Sequence, residues 1–361
     1  MYNTSMFEHD SLDIALRSPQ GAVLAGEKIT IGGRLVQEEG TQVFLVLVYP
    51  GNREEQLPMT TEKGLCSVSF TAPEGPGLLF YSFLLKNGEN IRWYGGRTFS
   101  VGSAGCNFSC RFCQNHHISR DPLEQERIRG HEATPDVLVA AALRTACRSL
   151  AFTYNEPTVF VELLAATAAL GQERGLPSIL VSNGFMSPGC LEVLGPLVRA
   201  ANIDLKAFSE DFYHHYCGAR LRPVLDNLVR MRSLGWWLEV TTLILEGLND
   251  GEAELRALAR FIRDELGADT PWHVTAFHPA YRMTDHPATR AETLRRCRDI
   301  GLEEGLHFVY TGNVFCAGGG DTLCPQCGEP CLERQGWQVT MRTDTGVCPR
   351  CGSQLPGVWK S

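Results

Sequence analysis

The sequence lacks three features: an excess of positive charge, a long apolar segment and a secretion signal. It has 33 Lys and Arg against 41 Asp and Glu, a net charge of −8, whereas a nucleic-acid-binding surface needs an excess of positive charge. No apolar run reaches the roughly 20 residues of a membrane-spanning helix. The first residues, MYNTSMFEHDSLDIAL, have neither the basic nor the apolar segment of a signal peptide. We therefore expect a cytoplasmic protein that binds neither nucleic acid nor membrane.

Cysteine, in contrast, is abundant, with 14 residues in a chain of 361. Secreted proteins rich in disulfides are mostly far smaller, and several of these cysteines have spacings typical of metal ligands. The hydrophobic content of 43% and charged content of 20% are those of an ordinary globular protein. The length allows two or three domains. The composition therefore indicates a reduced, metal-binding protein.

The most informative motif is GCNFSCRFCQNHH, which places Cys106, Cys110 and Cys113 in a C-x3-C-x2-C run. Cubane iron–sulfur clusters are normally held by four thiolates, so three thiolates with no obvious fourth predict a [4Fe–4S] cluster with one open iron. Phe112 completes the C-x3-C-x-aromatic-C form that marks radical S-adenosylmethionine (SAM) enzymes, in which the open iron chelates SAM. A zinc knuckle or part of a disulfide framework is the alternative.

Residues 1–97 are predicted to form an all-β accessory domain. Residues 66–70 alternate in polarity and residues 42–48 form a nearly continuous apolar run, which are patterns of half-buried and of central strands. Asn87-Gly88 indicates a hairpin turn. About seven short strands separated by turn residues predict an immunoglobulin-like sandwich. We expect this domain to serve packing or partner binding rather than chemistry.

Residues 98–317 alternate between strand and helix patterns. A helix is predicted to begin at Thr134-Pro135, and another to run over residues 250–266 and end at Gly267. Repeated βα units form parallel sheets, and about six units fall short of a full eight-unit barrel. The prediction is a partial (β/α)6 barrel with strands at residues 98–101, 150–153, 178–181, 202–205, 238–243, 272–277 and 308–310.

Residues 318–361 are predicted to form a zinc ribbon. Two C-x2-C knuckles have the spacing of a four-thiolate zinc site, and each is followed by a glycine that lets backbone amides turn toward the thiolates. Cys316 and Cys331 lie nearby, which leaves another choice of ligand open. Such a closed site is most often structural. The predicted zinc ligands are Cys324, Cys327, Cys348 and Cys351.

Polar side chains follow the predicted barrel strands at their carboxyl ends, where parallel barrels gather their functional groups. We expect Glu156 to accept a hydrogen bond from the SAM ammonium and Phe112 to contact adenine. Ser182 and Thr241 would bond ribose or carboxylate oxygens. The full predicted SAM-binding set is Phe112, Tyr154, Asn155, Glu156, Ser182, Asn183, Asp204, Thr241 and His278.

Each of these residues also has a plain structural alternative. Glu156 can be a turn residue before a helix, where negative charge is favoured. Asp204 and Lys206 can form a rim ion pair of little energetic value. His278, which precedes a proline, can cap a strand without touching a ligand. Their joint occurrence at successive strand ends favours the ligand-binding interpretation.

Several segments together resemble a known family. GCNFSCRFCQNHHIS, AFTYNEPTVF, VSNGF, ANIDLKAF, VLDNL, EVTTLILEGLND, PWHVTAFHPAYRMTD and VYTGNV are similar to AmmeMemoRadiSam-system radical SAM enzymes, which are relatives of pyruvate formate-lyase activating enzymes. The ending CPQCG…CPRCG…PGVW also resembles that family's, and the likeness covers roughly residues 100–361. The amino-terminal β-sandwich departs from it, since members usually begin with a short cysteine-rich stretch.

The resemblance implies roles for particular residues. The three cysteines of the C-x3-C-x2-C run would hold the cluster, and residues 154–157 stand where activating enzymes bind the SAM amino group. His278 falls at a position that contacts SAM, and Asp204 resembles an acidic group that binds a monovalent cation. Val181 replaces the acidic residue that helps to hold that cation.

The expected function is reductive cleavage of SAM. An electron donor such as flavodoxin or ferredoxin would reduce the cluster, and the resulting 5′-deoxyadenosyl radical would abstract hydrogen from a protein glycine or a small molecule. One alternative is transfer of a 3-amino-3-carboxypropyl group after cleavage of another carbon–sulfur bond. The other is a non-catalytic sensor or scaffold in which cluster and zinc are structural, although such a protein has no use for the polar set at the strand ends.

Overall fold

The chain divides into two compact units, Met1–Arg97 with Arg144–Cys147 and Thr98–Leu143 with Arg148–Ser361. In the part of the chain that is described, no helix has both the length and the apolar character to cross a bilayer. The computed structural model describes residues 7–8, 17–18, 26–35, 40–49, 53–72, 80–87, 90–93, 98–125, 128, 132–335 and 338–359.

The first unit contains two antiparallel sheets. One has the strand order β1-β3-β7-β6 with β2 beside β3, and the other has the order β5-β4-β8-β9. The strands are β1 Phe7–Glu8, β2 Arg17–Ser18, β3 Lys28–Leu35, β4 Gln42–Tyr49, β5 Arg53–Pro58, β6 Thr60–Glu62, β7 Leu65–Thr71, β8 Phe80–Asn87 and β9 Asn90–Trp93.

The two sheets share one apolar core. Ile31 from β3 and Cys66 from β7 pack in the same cluster as Leu45 from β4 and Phe83 from β8. The predicted all-β character is thus present in the described residues, whereas the immunoglobulin-like topology stays a prediction. Asn87 ends β8 and pairs with the first residue of β9, while Gly88 of the predicted turn lies outside the described residues.

The second unit is built on a parallel sheet of seven strands in sequential order, β10 to β16. The prediction of a parallel α/β sheet is confirmed, and seven strands give six crossovers. The strand β13 begins at Val198, four residues before its predicted start, and the exposed Arg199 lies within the added part of the strand. The strands are β10 Thr98–Val101, β11 Ser149–Phe152, β12 Ser178–Ser182, β13 Val198–Asp204, β14 Trp237–Ile244, β15 Trp272–Ala276 and β16 Val309–Gly312.

Helices fill the crossovers between these strands. A 3-10 turn, Pro157–Phe160, precedes α4, and π-helical turns at Tyr213–Cys217 and Ile262–Leu266 extend α6 and α8. The predicted start at Pro135 and the predicted stop at Gly267 are both found. The helices are α1 His116–Ser119, α2 Asp121–Glu124, α3 Pro135–Arg144, α4 Val161–Glu173, α5 Pro188–Leu194, α6 Glu210–Phe212, α7 Arg222–Ser233, α8 Glu252–Phe261 and α9 Ala291–Glu303.

The parallel sheet has one closely packed face and one more open, polar face. Along β14 the buried side chains alternate with half-buried ones, as the two-residue period of a strand requires. On the half-buried face, which we call the inner face, Thr241 lies opposite Asp204 and His273, and Glu239 lies opposite Asn202. The inner face therefore presents polar groups to any ligand held there.

A three-stranded antiparallel sheet follows β16 and belongs to the same compact unit. Its strands are β17 Thr322–Leu323, β18 Pro330–Gln335 and β19 Gln338–Met341. The Tyr310 hydroxyl lies 2.9 Å from Thr322 Oγ1, and Arg334 lies over the Tyr310 ring at 5.5 Å. These contacts attach the small sheet to the last barrel strand. That residues 318–361 form a domain of their own stays a prediction.

Candidate active site

The cysteine loop, residues 105–113, follows β10 at the carboxyl end of the parallel sheet. Its two aromatic residues anchor it, since Phe108 and Phe112 are each only 2% exposed. Phe108 packs edge-on against Phe185 at 5.5 Å, and Phe112 packs against Phe212 at 5.8 Å. The loop is therefore held by its phenylalanines. The contact of Phe112 with adenine stays a prediction, and the sequence reasoning missed Phe108.

Asparagine side chains connect the segments on either side of the loop to the end of β11. Asn155 accepts from the Ser103 amide at 3.1 Å and donates to the Gly105 carbonyl at 2.7 Å. Asn115 donates to the carbonyl of Tyr154 at 2.7 Å. Tyr154 has a left-handed φ of 74°, so this turn is strained for a tyrosine. Asn155 thus fixes the chain that leads into the first cysteine.

A second asparagine pair connects the loop to the end of β12. Asn183 Nδ2 donates to Asn107 Oδ1 at 2.7 Å and lies 3.9 Å from Cys106 Sγ. Asn107 Nδ2 in turn donates to the Phe185 carbonyl at 2.8 Å. The predicted site residue Asn183 therefore lies beside the first cysteine.

The three loop thiols are less closely grouped than the four carboxyl-terminal cysteines. The sulfur atoms of a tetrahedral zinc site lie about 3.8 Å apart, given a zinc–sulfur distance of about 2.3 Å. Among the described residues, four carboxyl-terminal cysteines converge within 4.8 Å, but Cys106, Cys110 and Cys113 do not form such a group. At least one pair of the loop thiols therefore lies more than 4.8 Å apart.

The loop thiols also face hydrogen-bond donors and a positive charge. The Phe108 amide lies 3.4 Å from Cys106 Sγ. Burial raises the pKa of Cys106 to about 12 and raises the pKa of Cys113, while the Lys206 ammonium acts to lower both. The Cys110 pKa is also raised, first by its interaction with Cys217 and then by burial. A cationic group beside three thiols suits a ligand set that carries negative charge.

Lys206 and Asp204 form an ion pair at the carboxyl end of β13. Lys206 Nζ lies 2.6 Å from Asp204 Oδ2, and the side chains are 16% and 31% exposed. Burial acts to lower the pKa of Lys206, but the Asp204 carboxylate and the neighbouring Cys110 raise it. The two side chains are more buried than those of an ion pair on the rim. The Lys206 ammonium is the charge that acts on the loop thiols.

The carboxylate of Glu156 is occupied within the protein. The residue is 1% exposed. Its Oε1 accepts from the Thr158 amide at 3.1 Å, the Thr158 hydroxyl at 2.9 Å and the Ser182 hydroxyl at 2.9 Å. Its Oε2 accepts from the Asn183 backbone amide at 2.8 Å. Burial raises the pKa of Glu156, and these hydrogen bonds oppose the effect. Glu156 therefore joins the ends of β11 and β12, and its bond to the SAM ammonium stays a prediction.

The remaining predicted residues lie at or below the same edge of the sheet. Thr241 is on the inner face and donates to Asn202 Oδ1 at 2.7 Å. His278 is exposed beyond β15, with Nε2 3.1 Å from the carbonyl oxygen of Asn313. Hydrogen bonds thus connect Glu156, Ser182 and Asn183 directly. Asn183 bonds to Asn107 of the loop, and Asn155 bonds to Ser103 and Gly105. No hydrogen bond recorded among the described residues connects Thr241 or His278 to the loop.

The four cysteines that were predicted to bind zinc form a second, separate centre. Cys324 Sγ lies 3.6 Å from Cys351 Sγ, and Cys327 Sγ lies 3.6 Å from Cys348 Sγ, close to the spacing for one tetrahedral ion. Hydrogen bonds from Ser353 lower the pKa of Cys351 to about 6. Cys331 is fully buried beside this centre but is not one of the converging four.

The glycine after each knuckle has a backbone conformation that few other residues adopt. Gly328 has φ 73° and its amide donates to the Cys324 carbonyl at 2.8 Å. Gly352 has φ 75° and donates to the Cys348 carbonyl at 3.0 Å. Positive φ angles cost glycine little. The two knuckles are therefore closed by equivalent turns.

Comparison with known proteins identifies the superfamily of this chain. The family described as the radical SAM superfamily matches residues 100–262. Protein MJ0808 of Methanocaldococcus jannaschii, described as uncharacterized, is 39% identical over 259 residues, which is 71% of this chain and 76% of that protein. The chain belongs to the radical SAM superfamily. Membership of this superfamily implies a [4Fe–4S] cluster and SAM.

Several solved structures show limited overall similarity to this chain. A domain of a pyruvate-formate lyase-activating enzyme from Bacteroides vulgatus is 17% identical with a TM-score of 0.41, and the match covers 46% of this chain and 99% of that one. SuiB from Streptococcus suis, bound to its precursor peptide SuiA, is 12% identical with a TM-score of 0.48. That match covers 60% of this chain and 49% of SuiB.

Proposed function

We propose that this radical SAM protein binds a [4Fe–4S] cluster at Cys106, Cys110 and Cys113 and cleaves SAM reductively beside it. The observation that carries the proposal is the loop itself. Its three half-buried thiols do not all lie within 4.8 Å of one another, and the half-buried Lys206 ammonium is close enough to act on their pKa values. They stand at the carboxyl end of a parallel sheet, where such folds bind their ligands.

The bound cluster would supply one electron to SAM, and a 5′-deoxyadenosyl radical would result. The chain's own residues position the reactants and exclude water. Asn155 and Asn183 fix the loop, and the Lys206 charge offsets the negative charge of thiolates and cluster. Asp204 and Thr241 on the inner face offer hydrogen-bonding groups to SAM. The hydrogen donor would be a glycine of a partner protein or a small molecule held over the inner face.

Three finer points belong to this proposal. We propose that the chain is an AmmeMemoRadiSam-system enzyme, because the segments quoted above resemble that family and most of them lie at strand ends of the parallel sheet. A flavodoxin or ferredoxin would deliver the electron in a reducing cytoplasm. One Zn²⁺ would occupy the carboxyl-terminal centre, because four thiolates at tetrahedral spacing are typical zinc ligands. The zinc would be structural, since four thiolates leave no position for substrate.

The test is product analysis after anaerobic incubation of the reconstituted protein with SAM and dithionite. Mass spectrometry should find 5′-deoxyadenosine and methionine. The variant with Cys106, Cys110 and Cys113 all changed to alanine is the control and should give neither product. 5′-Methylthioadenosine in place of 5′-deoxyadenosine would indicate transfer of a 3-amino-3-carboxypropyl group. No cleavage by protein that holds its iron would contradict the proposal and favour a sensor or scaffold.

A further inference from the structure

A polar residue lies in the buried stripe of α7. Val224, Leu228 and Met231 form this stripe together with Asn227, which is 4% exposed. This asparagine belongs to the segment VLDNL. Burial of a side-chain amide is costly unless the amide is hydrogen-bonded. An asparagine on an apolar helix face therefore needs partners from a neighbouring segment.

The partners of Asn227 are in the loop that follows β12, residues 183–186, which we call the β12 loop. Asn227 Nδ2 donates to the Gly184 carbonyl at 2.8 Å and to the Met186 carbonyl at 2.8 Å. Gly184 has φ 73°, and a Cβ atom at this position would lie 3.2 Å from Val224 Cγ1. The β12 loop is therefore packed directly on α7, and one side-chain amide fixes it there.

The residue between these two carbonyls contacts the cysteine loop instead. The Phe185 carbonyl accepts a hydrogen bond from Asn107 Nδ2 at 2.8 Å, and the Phe185 ring packs against Phe108 at 5.5 Å. Asn183, at the start of the β12 loop, donates to Asn107 Oδ1 at 2.7 Å. Asn107 and Phe108 directly follow Cys106. The β12 loop thus joins α7 to the part of the cysteine loop that carries the first predicted ligand.

The other two cysteines of the loop are held by different segments. The amides on either side of Cys110 donate to carbonyls of the turn Tyr213–Cys217 at 2.9 Å. Beyond Cys113, Asn115 donates to the Tyr154 carbonyl at 2.7 Å. Loss of the amide on α7 should therefore act first on the position of the first cysteine.

We propose that Asn227 is a positioning residue for Cys106, which it fixes through the β12 loop at the place where the thiolate would bind iron. The inference rests on the proposed function, since it requires a cluster at the cysteine loop. Hydrogen bonds that orient a ligand determine how firmly it holds its metal, and their loss typically lowers metal affinity about 10–100-fold. Asn227 acts through Asn107 and is not itself a ligand.

The experiment measures how fast anaerobically reconstituted full-length variants release iron to a ferrous-iron chelator, at a temperature well below unfolding. Asn227→Ala removes both hydrogen bonds to the β12 loop, and Asn107→Ala breaks the same connection at the cysteine loop. Each variant should release iron about tenfold faster than wild type.

Thr270→Ala is the matched control and should release iron at the wild-type rate. Thr270 is also 4% exposed, and its hydroxyl donates to the Leu266 carbonyl at 3.1 Å. It precedes β15 and therefore lies at the amino end of the sheet, away from the cysteine loop. The control thus loses a buried hydrogen bond to a backbone carbonyl without a change near the cluster.

A spectroscopic measurement separates positioning from general destabilisation. The electron paramagnetic resonance g values of the reduced cluster depend on the geometry of its ligands. They should shift in Asn227→Ala and Asn107→Ala and stay at the wild-type values in Thr270→Ala. The variant with both asparagines changed should show no larger effect than either single variant, because the two residues act along one path.

Several outcomes would overturn the inference. Wild-type iron release and g values in Asn227→Ala would do so, as would equal acceleration in Thr270→Ala or additive effects of the two asparagine changes. If Asn227→Ala is not obtained as folded protein, Asn227→Ser replaces it under the same criteria, because a serine hydroxyl is too short to reach both carbonyls. Wild-type protein without any cluster would refute the proposed function itself.

Discussion

Replacement of Glu156 by glutamine tests what the carboxylate does in the active site. Both carboxylate oxygens of Glu156 face only hydrogen-bond donors. Oε1 accepts three hydrogen bonds, and Oε2 accepts one from the Asn183 backbone amide. A glutamine side chain has one oxygen and one NH2 group, which donates and cannot accept. In the better of its two orientations it keeps the three bonds at Oε1. The Asn183 amide is then left buried against another donor.

The expected loss of stability follows from that unsatisfied amide. A buried donor that loses its acceptor costs about 1–3 kcal/mol, while the Ser182 and Thr158 side chains keep their acceptor. Each kcal/mol lowers the midpoint of thermal unfolding by roughly 2–4 °C in a domain of about 150–250 residues. Glu156→Gln should therefore unfold about 2–12 °C below wild type.

The assay is thermal unfolding of anaerobic protein, followed by calorimetric titration with SAM. Glu162→Gln is the matched control, since Glu162 is exposed in the first turn of α4 and should unfold with wild type. An unchanged unfolding temperature for Glu156→Gln would refute the hydrogen-bond account. Unchanged stability together with a large loss of SAM affinity would instead support direct contact between Glu156 and the SAM ammonium.

Three further predictions concern the metal centres and acid stability. Alanine at all three loop cysteines should remove about four irons per chain and the visible absorption; retention of either would refute the ligand assignment. Protein purified with zinc should contain one zinc per chain by elemental analysis, and chelation should expose residues after Gly320 to limited proteolysis; unaltered digestion would show that zinc does not order this segment. Arg260 and Arg256 hold the pKa of Glu304 at about 2, below 4.5. The Glu304 carboxylate therefore stabilises the folded protein above pH 4.5, and this effect is lost as the pH falls toward 2. The unfolding temperature of Glu304→Gln should fall less steeply over that range than that of wild type. An equally steep fall would contradict the prediction.

The sequence predicted the parallel sheet and the metal-ligand spacings because both are local patterns. Strands alternate with helices, and the carboxyl ends of parallel strands meet at one edge, so residues such as Asn183 and Asp204 could be placed without coordinates. The four carboxyl-terminal cysteines converge as predicted for one ion, because each knuckle fixes its own pair through a short turn.

What the sequence could not predict depends on contacts between distant segments. The donors to Glu156 include Ser182 and Asn183 from another strand end, and no local pattern reports such bonds. The turn Tyr213–Cys217, whose last two carbonyls accept from the Arg111 and Ser109 amides, was missed for the same reason, since it lies far along the chain from the loop. One signal was available: the glycine at position 218 indicates a turn with an unusual backbone conformation, and its φ is 64°.

The sequential order of β10 to β16 also determines when the loop is completed during synthesis. Each strand pairs with its predecessor in the chain, so the sheet can grow strand by strand as the ribosome releases it. The loop emerges after the first strand, but the Cys217 turn comes after the fourth. The Arg282 amide, which donates to the Arg111 carbonyl at 3.1 Å, comes after the sixth. The loop therefore lacks its long-range backbone contacts until most of the sheet has been made.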